Sequence, residues 1–99
     1  SIFYFYTIHY GYHNDVYVSD IYELDIDRND VFKKTKDRFD DVKKHIIVNG
    51  IAKGIQSGYE KNYFKKDQAQ NERDYLMSQF KNQDFKVITF KYKWEKPFQ

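Results

Sequence analysis

The stretch IFYFYTI, Ile2 to Ile8, is apolar on both of the faces that a β-strand presents. Successive side chains of a strand point to opposite sides, so Ile2, Tyr4, Tyr6 and Ile8 share one face and Phe3, Phe5 and Thr7 share the other. Such a segment has two solutions. Either it is the central strand of a sheet covered on both sides, or its second face is an exposed aromatic patch that docks a partner. Tyrosine suits both, because its ring buries well, its hydroxyl tolerates water, and it is enriched at interfaces. The second solution makes Phe3, Tyr4, Phe5 and Tyr6, with Tyr10 and Tyr12 just beyond them, the candidate partner-binding residues.

The 99 residues suit one α+β domain spanning 1–99, with room for a single core. A fifth of them are Phe, Tyr or Trp, enough ring area to build that core despite a charged fraction of 32%. There is no cysteine, which excludes a disulfide framework and a thiolate metal site. The longest apolar run is only as long as a strand, so no membrane span is expected. No basic-then-apolar leader opens the chain, and a cytoplasmic protein is expected. Charge is segregated: up to Asp30 there are six acids against Arg28 alone, and after it sixteen bases against nine acids. Such a split either orients a charged partner or is neutralised across the fold.

Ile2 to His9 is followed by turn residues Gly11 to Asn14 and by the alternating stretch Asp15 to Ile26, which predicts a hairpin. Asp27, Asn29 and Asp30 offer caps for a helix carrying Phe32, Phe39, Val42 and Ile46 at helical spacing. A second helix is predicted over about Lys61 to Phe80, broken by Asn82 to Asp84, and Phe85 to Trp94 closes the order ββααβ as a strand. The expected architecture packs both helices on one face of a three-stranded sheet. The doubly apolar first strand lies in its centre, and the last strand pairs along that strand's free edge, parallel to it.

Gly50, Gly54 and Gly58 recur at a spacing of four. A phosphate cradle fits poorly, since such glycines follow a strand, whereas these follow a helix and Lys53 precedes Gly54 in the wrong order. Two readings remain. Asn49-Gly50 resembles a helix C-terminus leading into a loop. The regular period instead favours a first helix running on to about Ser57, its glycine strip laid flat against an aromatic surface. Each interior glycine costs about 1 kcal/mol relative to alanine, and close packing is the gain that would offset it.

Candidate chemistry is sparse. His9, His13 and Asp15 bracket the hairpin turn without a metal-binding spacing, and no further ligand has a reason to join them. Glu23, Asp25 and Asp27 share one face of a strand and are expected to meet Lys91 and Lys93 as a surface salt ladder. His45 lies beside Lys43 and Lys44, where a solvated imidazole is expected. No constellation qualifies as catalytic, so no enzyme activity, cofactor or metal is expected. The run FKYKWEKPF, Phe90 to Phe98, interleaves rings and lysines as single-strand nucleic-acid binders do. Strand alternation instead sends Tyr92 and Trp94 to one side and Lys91 and Lys93 to the other.

The composition, rich in Lys, Asp, Asn, Tyr, Phe and Ile and poor in Gly, Pro and Ala, is similar to that of small accessory proteins encoded by AT-rich phages and mobile elements. That resemblance implies a phage or mobile-element protein, accessory or inhibitor, that binds a larger protein. The expected function is therefore a non-enzymatic protein-binding module acting through its aromatic surface. The alternative is nucleic-acid binding through the basic helices and Lys86, Lys91, Lys93 and Trp94. A homodimer is compatible with either.

Overall fold

The computed structural model describes residues 1–95. Its first strand, β1 (Ile2–Tyr10), turns back into β2 (Asp15–Ser19) and β3 (Tyr22–Asp25). The turn places His13 and Asn14 at φ 56° and 62°, and the Asp15 N–H donates to the Tyr12 carbonyl at 3.1 Å. Two consecutive left-handed residues match the right-handed twist of the strands they join, and Asn tolerates that conformation. β2 and β3 are one returning strand interrupted by a bulge. Ile8 is opposite Val18 and Phe5 opposite Tyr22, which leaves three residues facing two. At this break the Thr7 N–H donates to the Ser19 hydroxyl at 2.9 Å.

A short 3-10 turn (Arg28–Asp30) leads to α1 (Thr35–Val48), then β4 (Ser57–Tyr63), α2 (Lys66–Asn82) and β5 (Lys86–Phe90). The α+β class with two helices holds, and the helices pack on the sheet. The sheet has five strands, not three. β4 was hidden in the sequence because the glycine period and the following helical stretch claimed its residues. It takes the free edge of β1, pairing Tyr4 to Tyr10 with Tyr63 to Ser57. That displaces the last strand from its expected place. β5 pairs with β2, and runs parallel to it.

β1 is central, as its two apolar faces require, and each helix covers one of them. Phe3 and Phe5 pack with Tyr17, Tyr22, Leu24 and Phe90 beneath Val42 and Ile46 of α1. Tyr6 and Ile8 pack with Val16 and Val18 against Phe80 of α2. The expectation of both helices on one face is thus corrected: an aromatic strand with no polar side needs a cover on each. Phe32, placed in the apolar stripe of the first helix by its spacing, precedes that helix and is 80% exposed.

The three glycines do three different things. Gly50 sits at φ +68° just past α1, where its N–H donates to the Ile47 carbonyl and the Ile51 N–H to that of Ile46. These are the two bonds of a Schellman stop, so the helix ends there and does not reach Ser57. Gly54 lies in the loop beside the ring of Tyr12, and Gly58 belongs to β4. The spacing of four is not a helix face.

His9 is fully buried, stacked on Phe39 of α1 at 4.7 Å, with Nε2 on the Thr7 hydroxyl at 2.9 Å. Nδ1 has no partner among the described residues. Burial, reinforced by the nearby Lys43 charge, lowers its pKa from 6.5 to about 4. A histidine held neutral by the fold is protonated first in the unfolded chain. Its contribution to stability is therefore complete above pH 6.5 and is lost as pH falls from 6.5 towards 4. Between pH 7 and pH 5 urea titrations should show a loss of about 2 kcal/mol from this group. His9→Gln should lack that part of the pH dependence; an unchanged pH dependence in the variant would assign it to other groups.

Candidate protein-binding surface

Among the described residues β4 is paired with β1 alone, so one side of a seven-residue strand is open. Its alternation sends Tyr59, Lys61 and Tyr63 to the α2 side of the sheet and Gly58, Glu60 and Asn62 to the α1 side. Tyr59 and Tyr63 are half-buried and Lys61 is exposed. The ring of Tyr63 stacks on Tyr6 at 6.1 Å, and that of Tyr59 tilts against Tyr10 at 6.3 Å. Burial, helped by the Tyr10 hydroxyl, pushes Tyr59 up to about 12. Burial raises Tyr6 as well, with Tyr63 adding to it. The Tyr59 phenol therefore stays protonated at physiological pH and can donate a hydrogen bond. The strip thus combines unpaired main-chain groups with rigid, half-sunk rings.

The α1 side of the same edge is built differently. Arg38 of α1 is completely buried and grips Glu60 with two bonds, Nε to Oε2 at 3.0 Å and Nη2 to Oε1 at 2.6 Å. The same guanidinium donates to the carbonyls of Val31 and Lys33 and lies 5.1 Å from the centre of the Phe5 ring. Bidentate geometry and the remaining acceptors make burial of this charge tolerable. Gly58 lies beneath Phe39, whose Cε2 would be 3.0 Å from a Cβ there. Lys43, one turn beyond Phe39, is exposed on this flank. The clamp between Arg38 and Glu60 ties the middle of β4 to α1.

The aromatic candidates read from the sequence divide. Phe3, Phe5 and Tyr6 are 2%, 0% and 1% exposed and build the two cores, so they offer nothing to a partner. Tyr4 and Tyr10 are half-buried and face the same side as Tyr63 and Tyr59. Tyr12 is exposed elsewhere, lining a cavity of about 320 Å3 with His13, Asp15, Tyr17 and Lys53. His9 is sealed in the core while His13 is exposed at the turn, so these two do not converge. Tyr59, Lys61 and Tyr63 were missed, although their alternation with Gly58, Glu60 and Asn62 was a strand signal.

Lys86, Lys91 and Lys93 are exposed, whereas Tyr92 is buried and Trp94 is half-buried against the α1-side core. The expected alternation of inward rings and outward lysines is therefore present, although β5 ends at Phe90. Phe98, the last ring of that run, lies outside the described residues. The salt ladder does not form: Glu23 and Asp25 are on β3, which pairs with β1, while the strand leading to Lys91 and Lys93 pairs with β2. His45 is not freely solvated either. Its Nε2 lies 3.0 Å from the Lys91 carbonyl and its ring meets Tyr92 edge-on at 5.3 Å.

No described helix is long and apolar enough to cross a membrane. No family model, curated protein or solved structure matches the chain.

Proposed function

We propose that the chain is a non-enzymatic protein-binding module that takes up an extended segment of its partner along the open edge of β4. The observation that carries this reading is the coincidence of a free seven-residue edge with the half-buried tyrosines Tyr59 and Tyr63 on one side of it. Strand addition draws affinity from main-chain hydrogen bonds and selectivity from the side chains flanking the edge. Rings with few rotatable bonds lose little entropy on contact, which is why such residues anchor interfaces.

Peptides selected from a displayed library of unstructured sequences should perturb the amide resonances of Ser57 to Tyr63 most strongly. Changing Tyr59 and Tyr63 together to alanine should weaken them about tenfold or more, while changing Lys91 and Lys93 to alanine should leave them unaffected. The rival outcome is nucleic-acid binding through Lys86, Lys91 and Lys93. It would appear as submicromolar affinity for a single-stranded oligonucleotide, lost in the double lysine variant, with a log-log salt slope of about −0.7 per phosphate.

A further inference from the structure

Lys61, exposed in the middle of β4, forms no ion pair among the described residues, and we propose from this that the segment received along β4 is acidic. The inference rests on the edge-strand reading above and adds the chemistry of the partner. On the α2 side the exposed Lys61 stands between Tyr59 and Tyr63, without an ion pair among the described residues. On the α1 side Lys43 is exposed and likewise forms no ion pair among the described residues. The edge's own carboxylate, Glu60, is consumed by Arg38, and Asp40 on the exposed side of α1 is held by Lys36. Glu72 of α2 acts on Tyr6 and is exposed, but it does not pair with Lys61. Lys61 thus stands on the open strand itself, and Lys43 lies on the α1 side near His9, whose partner on β4 is Gly58.

An arriving strand places alternate side chains on alternate sides. A glutamate opposite Lys61 would be flanked two positions away by residues lying over Tyr59 and Tyr63, and an acid on the other side would approach Lys43. The preferred segment is apolar-x-acid-x-apolar, with a further acid among the intervening positions. A second copy of this chain fits less well. Full-length two-fold pairing of β4 with itself is centred on Glu60, and sets the two Lys61 side chains diagonally across the seam on one face, like charge beside like. A lysine in the middle of an edge strand also guards against indiscriminate pairing, and opposite charge on the incoming strand is what relieves that guard.

The experiment compares an eight-residue peptide with a central pair of glutamates and valines two positions to either side against its glutamine counterpart. A third peptide carries the glutamates but is N-methylated at alternate residues on its pairing edge. Chemical-shift titration of the intact chain reads both affinity and location. The glutamate peptide should bind about tenfold more tightly than the glutamine one at low salt, with the gap narrowing as salt rises. Lys61→Glu, a change at an exposed position, should reverse the preference, and the N-methylated peptide should fail to bind. Equal affinity of the glutamate and glutamine peptides, with shifts still centred on β4, would overturn the acidic preference and leave the edge-strand reading standing. Failure of both, or binding that survives N-methylation, would overturn the edge-strand reading itself. A concentration-dependent dimer that excludes the peptides would make a second copy the occupant and overturn the proposal.

Discussion

Glu60→Ala should destabilise the fold by about 3 to 5 kcal/mol, because it takes a carboxylate and two hydrogen-bond acceptors away from the buried guanidinium of Arg38. Arg38 is 0% exposed, and Glu60 supplies two of its acceptors. For a domain of this length the change corresponds to a fall in midpoint temperature of well over 10 °C, taking about 4 °C or more per kcal/mol. The loss comes from removing one partner of a buried charge, and much less from the pair itself, since replacing a whole buried ion pair by apolar groups is often neutral. The double variant Arg38→Met with Glu60→Leu should therefore recover most of the stability lost by Glu60→Ala. Urea titrations of the variants measure this directly. A small cost for Glu60→Ala would mean that the remaining partners of Arg38, among them the carbonyls of Val31 and Lys33 and the Thr35 hydroxyl, suffice to hold the guanidinium.

Gly58→Ala should be of similar severity, at about 3 kcal/mol or more, for a purely steric reason. A Cβ at this position would lie 2.1 Å from the carbonyl oxygen of Ile8 and 3.0 Å from the Cα of His9. Both obstacles are main chain in the central strand, so no rotamer change relieves them. β4 would have to withdraw from β1. The other glycines of the run provide the controls. Gly54→Ala meets only the ring edge of Tyr12, an exposed side chain free to swing aside, and should cost under 1 kcal/mol. Gly50→Ala meets no atom within 4 Å but must adopt φ +68°, a strain of about 1 kcal/mol. Thermal melts ranking Gly58→Ala far above the other two would confirm that the period of four carries no common role; three equal losses would restore a shared packing face.

How much of this was legible in the sequence depended on the range of the interaction involved. The hairpin, the central position of β1, the stripe of Val42 and Ile46 on α1, and the outward lysines after Phe90 follow from alternation and helical spacing. Those are properties of neighbouring residues. The C-terminal turn of α1 was also local, since Asn49-Gly50 carries its own signal, but the repeated glycines offered a competing period and masked it.

The edge on which the functional proposal rests was not legible. β4 is marked by a weak alternation in Ser57 to Tyr63, and it becomes a strand because β1 has a free edge to satisfy. Arg38 and Glu60, separated by 22 residues, each look like ordinary surface charges in the sequence, and only their meeting beneath α1 makes them a buried clamp. The same holds for Gly58, whose need to be glycine is set by the Ile8 carbonyl fifty residues earlier. Sequence alone determined that the aromatic strand would lie in the centre of the sheet, and it left open whether the second face of that strand was covered or exposed. Which helix covers which face, which strand closes which edge, and therefore which edge stays open, were decided by the tertiary structure, because backbone pairing between distant segments leaves no periodic trace in either of them.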